Sequence, residues 1–311
     1  MYRKFYQENM MSEFAEKINQ LKKEKNAVIL VHNYQRPEIQ DIADYLGDSL
    51  GLSREAAKTE AKIIIFCGVR FMAETAKILS PEKLVLLPRE EAGCPMADMI
   101  TVKDLRKLKE KHPDAKVISY VNTNADVKAE SDVCCTSANA VDIVKKIKTK
   151  KIIFTPDKNL AAYCQRFTKK EIIPWNGYCN VHERIKVEEV LRARENIPDA
   201  LLLVHPECNP SVIDLADEVL STGGMVNFVL KSKKKKFLIG TEEGLIYRLK
   251  KENPEKEFYP AGTIKICRNM KLTGLKDVYS ALNEERYPIE LSEEIIRQAG
   301  KALKAMLAYT Q

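Results

Sequence analysis

Three cysteines of the 311-residue chain stand at matching distances from three sets of polar residues. The sets are His32-Asn33-Tyr34, Tyr120-Val121-Asn122 and His205-Pro206-Glu207. Counting from the first member of each, a hydroxyl follows after 17 residues (Ser49, Ser137, Thr222) and a cysteine after 62, 59 and 62 residues (Cys94, Cys179, Cys267). Cysteine sulfur is the usual ligand of cluster iron, and three thiolates without a matching fourth suit a [4Fe–4S] cluster with one open iron. An open iron acts as a Lewis acid on a hydroxyl, carbonyl or carboxylate. Dehydration chemistry is therefore favoured over electron transfer, which normally uses four protein ligands.

The elements that must position these residues repeat as well. A shift of 173 residues lays Pro37, Ile39, Ile42, Ala43 and Asp44 on Pro210, Val212, Leu215, Ala216 and Asp217, Pro81-Glu82-Lys83 on Pro254-Glu255-Lys256, and Cys94 on Cys267. A fixed period of this kind marks repeated structural units. Short apolar runs predict strands at 27–31, 63–67 and 84–87, at 117–121, 152–154 and 172–173, and at 201–204, 237–239 and 263–266. Between them the spacing predicts a helix from Pro37 with Ile39, Ile42, Ala43 and Leu46 on one face, and further helices at 53–61, 71–79, 102–111, 138–148, 159–167 and 187–195. Residues 2–25 read as an amphipathic helix, and 292–308 as a C-terminal one. Strands alternating with helices imply parallel sheets with right-handed crossovers. Functional groups in such units gather at the carboxyl ends of the strands, so each polar set and its cysteine share one sheet edge. The expected architecture is α/β: three three-layer αβα repeats related by a pseudo-threefold axis, with small parallel sheets around a central cluster cavity. The expected boundaries are 1–113 (first helix and first repeat), 114–198, 199–290, and 291–311 for a C-terminal helix packing back on the first repeat.

Composition limits the alternatives. With 45% hydrophobic residues the chain can bury a core. The net charge of +7 suits anionic small molecules, and one Trp with no aromatic-rich basic stretch argues against a nucleic-acid surface. No secretory signal is read near the N-terminus and no apolar run approaches the roughly 20 residues needed to span a bilayer, so a cytoplasmic protein without membrane or nucleic-acid partners is expected. In that compartment eight cysteines are thiols or ligands rather than disulfides. Cys67, Cys134, Cys135, Cys164 and Cys208 lack the repeat's spacing and read as small buried hydrophobes. Cys179-Asn180-Val181-His182 has a zinc-like spacing with no second pair to complete it, which leaves His182 a structural residue. Lys233–Lys236 reads as a solvated turn. Competing readings are a mononuclear-metal hydrolase using His32, His182, His205 and Glu207, and a non-enzymatic iron–sulfur sensor or RNA-binding protein that would bind nucleic acid through Lys231–Lys236.

The chain resembles the quinolinate synthase family over nearly its whole length. The resemblance is carried by His32-Asn33-Tyr34, Gly47-Asp48-Ser49, Tyr120-Val121-Asn122, Thr136-Ser137-Ala138-Asn139, Gly177-Tyr178-Cys179, His205-Pro206-Glu207-Cys208, Ser221-Thr222 and Cys267-Arg268-Asn269-Met270. It implies a [4Fe–4S] cluster on Cys94, Cys179 and Cys267. It also implies condensation of iminoaspartate with dihydroxyacetone phosphate to quinolinate for NAD synthesis, with an aspartate-oxidising enzyme supplying the imine; another [4Fe–4S]-dependent dehydratase is the nearest alternative. His32, Ser49, Tyr120, Asn122, Ser137, His205, Glu207 and Thr222 would bind the two anionic substrates. Tyr34, Glu207 and His205 would be catalytic, Tyr34 as a proton shuttle and Glu207 as a base. The chain departs from the family pattern at Gly223-Gly224, where a serine usually follows the Ser-Thr pair. No closely spaced cysteine pair lies near Cys267, so no regulatory disulfide is expected there.

Overall fold

The computed structural model describes residues 2–309. The chain runs α1 (Tyr2–Glu24), β1 (Ala27–His32), α2 (Pro37–Gln40), β2 (Tyr45–Gly47), α3 (Ser49–Lys58), β3 (Ile63–Cys67), α4 (Arg70–Leu79) and β4 (Leu84–Leu86) through the first repeat. The second comprises α5 (Val102–Lys111), β5 (Lys116–Tyr120), α6 (Ala125–Ala129), β6 (Val133–Cys135), α7 (Ala140–Lys146), β7 (Lys151–Thr155), α8 (Lys158–Gln165) and β8 (Glu171–Pro174). The third comprises α9 (Val187–Asn196), β9 (Leu201–Val204), α10 (Pro210–Ile213), β10 (Glu218–Val219), α11 (Thr222–Lys231), β11 (Lys236–Gly240), α12 (Gly244–Glu252) and β12 (Glu257–Pro260). Helices α13 (Leu275–Glu284) and α14 (Glu293–Ala308) follow.

Each repeat is one parallel sheet of four strands, and the three sheets share an order: β2-β1-β3-β4, β6-β5-β7-β8 and β10-β9-β11-β12. The central strands read as unbroken apolar runs because both faces are covered. In the first sheet Ile29, Val31, Ile63 and Ile65 face Ile18 of α1 and Val278 and Leu282 of α13. Val28, Leu30, Ile64 and Phe66 face the opposite side, with Leu52, Ala56, Ala73 and Ala76 of α3 and α4. That alternation is the pleat.

Two charged residues per repeat are structural, and all three copies keep them. Asp44, Asp132 and Asp217 accept the backbone N–H of Ile29, Val117 and Leu202 at 2.8, 2.8 and 2.7 Å, pairing the central strand where no edge strand reaches. Lys83, Lys170 and Lys256 donate to carbonyls at the C-terminal ends of α3, α7 and α11, among them those of Thr59, Ile147 and Val229, where a cation also meets the negative end of the helix dipole.

The structure corrects the sequence reading in four places. The helix expected from Pro37 to Leu46 is one turn, α2, followed by edge strand β2. Ile39 and Ile42 are buried as expected, but Asp44 turns its backbone to Ile29 and the chain becomes extended. Equivalent edge strands β6 and β10 were likewise unforeseen. The last strand of the third repeat is Glu257–Pro260, not 263–266, where Ile264 and Ile266 are exposed on irregular chain. Finally, α14 packs on α6 and β6 of the second repeat as well as on α4 of the first, and α13, within the range expected for the third repeat, packs on α1 and β3.

Candidate active site

The carboxyl ends of β1, β5 and β9 point at one another, and the loops that follow enclose a cavity between the repeats. It is lined by His32, Tyr34 and Ser49 of the first, Tyr120, Asn122 and Ser137 of the second, and His205, Glu207 and Thr222 of the third, with Cys94, Cys179 and Cys267. Every residue the sequence nominated as a site residue thus meets the others at this cavity. The three cysteines also line an open outer groove with Arg184, Lys186 and Arg268, so the sulfurs stand between the enclosed space and a basic mouth.

The cysteine loops are built alike. Each cysteine leads into a short 3₁₀ turn, Ala97–Met99, His182–Arg184 or Asn269–Lys271. The backbone N–H groups two and three residues on face the sulfur: Met96 and Ala97 for Cys94, Val181 and His182 for Cys179, Asn269 and Met270 for Cys267. Burial still dominates and raises all three thiols, Cys94 to about 12, and the nearby sulfurs add to this, Cys267 opposing the ionisation of Cys94 and Cys94 that of Cys179. A positive metal centre reverses that balance and deprotonates a ligating thiol. The remaining five cysteines are fully buried, whereas these three are partly exposed. Cys208 donates to the Gly240 carbonyl at 3.5 Å, a packing role. The glycine of Gly177-Tyr178-Cys179 is required by close approach, since a Cβ there would stand 2.5 Å from the Pro156 carbonyl oxygen.

Beside Cys179 runs a chain of polar contacts that crosses repeats. Glu207 Oε2 is 2.6 Å from His182 Nδ1, His182 Nε2 is 2.8 Å from Thr241 Oγ1, and Thr241 is 2.5 Å from the Tyr34 hydroxyl. Burial, the largest influence on Glu207, would raise its pKa, but His182 and His205 together with hydrogen bonds from His182 and Tyr120 outweigh it and hold the group at about 2. Burial raises the Tyr34 and Tyr120 hydroxyls well above the usual phenol range. The same desolvation lowers His32 to about 4 and His205 to about 3, so both imidazoles are neutral at neutral pH. The Tyr34 N–H donates to His32 Nδ1 at 3.2 Å, which leaves Nε2 of His32 as the protonated nitrogen. His205 Nε2 lies 3.1 Å from Ser137 Oγ and its ring stacks on His182 at 4.5 Å.

His182 is therefore no bystander to the site, although it does not line the cavity. Its equivalents in the other copies are Ala97 and Met270, so repetition carried no signal for it. Thr241 was missed, and Asn33 and Asp48 were named only within motifs with no role of their own, because contacts to Tyr34, Thr222 and Ser221 respectively cross between repeats. Asp48 lines the cavity, caps α3 through the Gly51 N–H and accepts from Ser221 at 3.0 Å. Its carboxylate also accounts for Gly223, where a Cβ would stand 2.5 Å from Asp48 Oδ2. Ligating atoms of Cys179, His182 and Glu207 lie within 4.8 Å of one another, a possible single-ion set, but His182 and Glu207 are already at ion-pair distance.

Fold and site together define an α/β protein of three like repeats with one metal-competent cysteine from each and a neutral histidine, carboxylate and tyrosine array facing them. The profile of the family described as quinolinate synthetase A protein matches residues 16–308. Curated relatives named quinolinate synthase include those of Thermodesulfovibrio yellowstonii (54% identical, covering 96% of this chain and 99% of the relative) and Geobacter sp. strain M21 (56% identical, 94% and 96%). The protein of Geotalea uraniireducens, named the same, is 54% identical over 95% of this chain and 97% of its own. This chain belongs to the quinolinate synthetase A protein family.

Proposed function

We propose that the chain is a quinolinate synthase that condenses iminoaspartate with dihydroxyacetone phosphate, releasing phosphate and two waters, in NAD biosynthesis. The observation that carries the reading is that three cysteines, each with two N–H groups turned to its sulfur, face one cavity shared with Glu207, His205 and Tyr34. Cys94, Cys179 and Cys267 would hold a [4Fe–4S] cluster, since hydrogen bonds to the ligand sulfurs are a usual support of such centres. Bound there, the cluster supplies a Lewis-acid iron to polarise a substrate oxygen or nitrogen.

The chain's own residues supply the rest. Hydroxyls of Ser49, Ser137 and Thr222, the side-chain NH2 of Asn122 and the protonated Nε2 of His32 donate to the carboxylates and phosphate. Glu207, ionised and backed by His182, accepts a proton from carbon, and His205 beside it holds the substrate against Ser137. Tyr34 returns a proton to a leaving hydroxyl, and the path through Thr241 and His182 links it to Glu207. Val69, Phe71 and Met72 give the cavity an apolar wall that keeps water from the reacting groups.

No described helix is long and apolar enough to cross a membrane, and we place the enzyme in the cytoplasm beside an aspartate-oxidising enzyme that makes its unstable imine. The mononuclear-metal hydrolase is the weaker reading because it leaves the three cradled sulfurs without a role. Quinolinate formation by anaerobically purified protein given the imine and dihydroxyacetone phosphate tests the proposal; a cluster-loaded, inactive protein would refute the activity.

A further inference from the structure

We infer that Asn33 and Arg248 are positioning residues that turn the Thr222 hydroxyl into a hydrogen-bond donor toward an anionic group of the substrate. The inference rests on the proposed substrate-binding role of Thr222 and says how that role is set.

Asn33 is fully buried, and its amide bridges two groups of the third repeat. Arg248 Nη1 donates to Asn33 Oδ1 at 2.8 Å and to the Leu46 carbonyl at 2.9 Å. Asn33 Nδ2 donates to Thr222 Oγ1 at 2.9 Å. An amide's oxygen and nitrogen are interchangeable in outline, and here chemistry decides between them. A guanidinium has no acceptor, so the amide oxygen must face Arg248 and the NH2 must face Thr222. The Thr222 oxygen then accepts, and its own hydrogen is free.

Thr222 is 3% exposed and lines the cavity at the first turn of α11. The 10-residue helix directs its positive end at the same place. A hydroxyl whose lone pair is already engaged can serve the cavity as a donor, which suits a carboxylate or phosphate oxygen and not another donor. Reversing the amide would make Thr222 donate backward to Asn33 and present the cavity with a lone pair, repelling an anion.

The test is Asn33→Asp in the cluster-loaded enzyme. The carboxylate keeps the partner Arg248 and the side-chain shape, yet it can only accept, so it captures the Thr222 hydrogen. KM for an anionic substrate is expected to rise at least about tenfold with kcat changed less, the size of one charge-assisted hydrogen bond. Quinolinate, itself a dianion, is expected to bind correspondingly more weakly in calorimetry. Because both act through one hydroxyl, Asn33→Asp combined with Thr222→Val should be little worse than Thr222→Val alone.

Wild-type quinolinate affinity in Asn33→Asp, or full additivity with Thr222→Val, would overturn the inference. If Thr222→Val itself leaves KM unchanged in an active enzyme, the binding role and this inference fall together while the activity stands. Should Asn33→Asp not fold, Arg248 gives a second pair. Arg248→Lys, still donor-only, should keep KM near wild type, whereas Arg248→Met frees the amide to turn and should raise it several-fold; equal KM values would contradict the inference.

Discussion

The loop that carries Cys94 differs from those carrying Cys179 and Cys267 in one respect, and the difference separates what makes a ligand from what steadies it. All three loops share the two N–H groups facing sulfur. All three are also tied to the helix after the central strands by one backbone bond: Arg70 to Ala92 at 2.8 Å, Lys158 to Gly177 at 2.9 Å and Glu243 to Lys265 at 3.0 Å. The second and third loops add a buried carboxylate. Asp157 Oδ2 accepts the Cys179 N–H at 3.2 Å and Glu242 Oε1 accepts that of Cys267 at 3.1 Å. The first copy has Val69 at that position and holds its loop from outside, through Asn269 Nδ2 on the Gly93 carbonyl at 2.7 Å. The sulfur cradle is a property of the main-chain turn, and the carboxylates are anchors added to two of three copies.

The largest effects should ignore this difference. Cys94→Ala, Cys179→Ala and Cys267→Ala are each expected to abolish both iron retention and activity, measured by iron content of anaerobic protein; retention of the full iron complement by any one would break the equivalence of the three loops. Next, Glu207→Gln should keep its iron yet lose turnover by about a hundredfold or more, the usual range for removing a general base. A near-normal rate would remove Glu207 from the chemistry.

The anchors should matter less, and unequally. Asp157→Ala leaves the N–H groups of Leu160 and Cys179 without a partner, at about 3 kcal/mol for two buried donors, and should speed iron loss to a chelator. Val69→Ala removes only two methyl groups, about 1.6 kcal/mol of apolar burial, and should leave that rate unchanged. Equal rates in the two variants would mean the carboxylate steadies nothing. Smaller still, Cys164→Ala should cost about 1 kcal/mol in thermal unfolding with iron intact. The exposed Lys233 and Lys234 should tolerate serine within about 0.5 kcal/mol, without retained nucleic acid in a filter-binding assay.

Repetition explains how much of this could be read before the structure. The cysteines, the hydroxyls and the first polar residues recur at fixed spacing, so their convergence followed from topology alone. The buried strands were legible because a strand covered on both faces is an apolar run. Edge strands β2, β6 and β10 were not, because Ile39 and Ile42 bury themselves at helical spacing around a single turn before Asp44 redirects the chain. The shift that aligned Asp44 with Asp217 pointed to a shared role, yet only the bonds to Ile29 and Leu202 show it to be a strand brace. His182, Thr241 and Arg248 act across repeats, through contacts that exist only once the three units are packed, and no single copy records them.

The most direct test of the central claim, that three like loops form one cluster site serving one reaction, is a visible spectrum with iron and sulfide counts on anaerobically purified protein, with quinolinate assayed on the same sample. The account predicts broad absorption near 400 nm, about four irons and four sulfides per chain, and quinolinate production. Protein that stays free of iron after reconstitution, while folded, would contradict it.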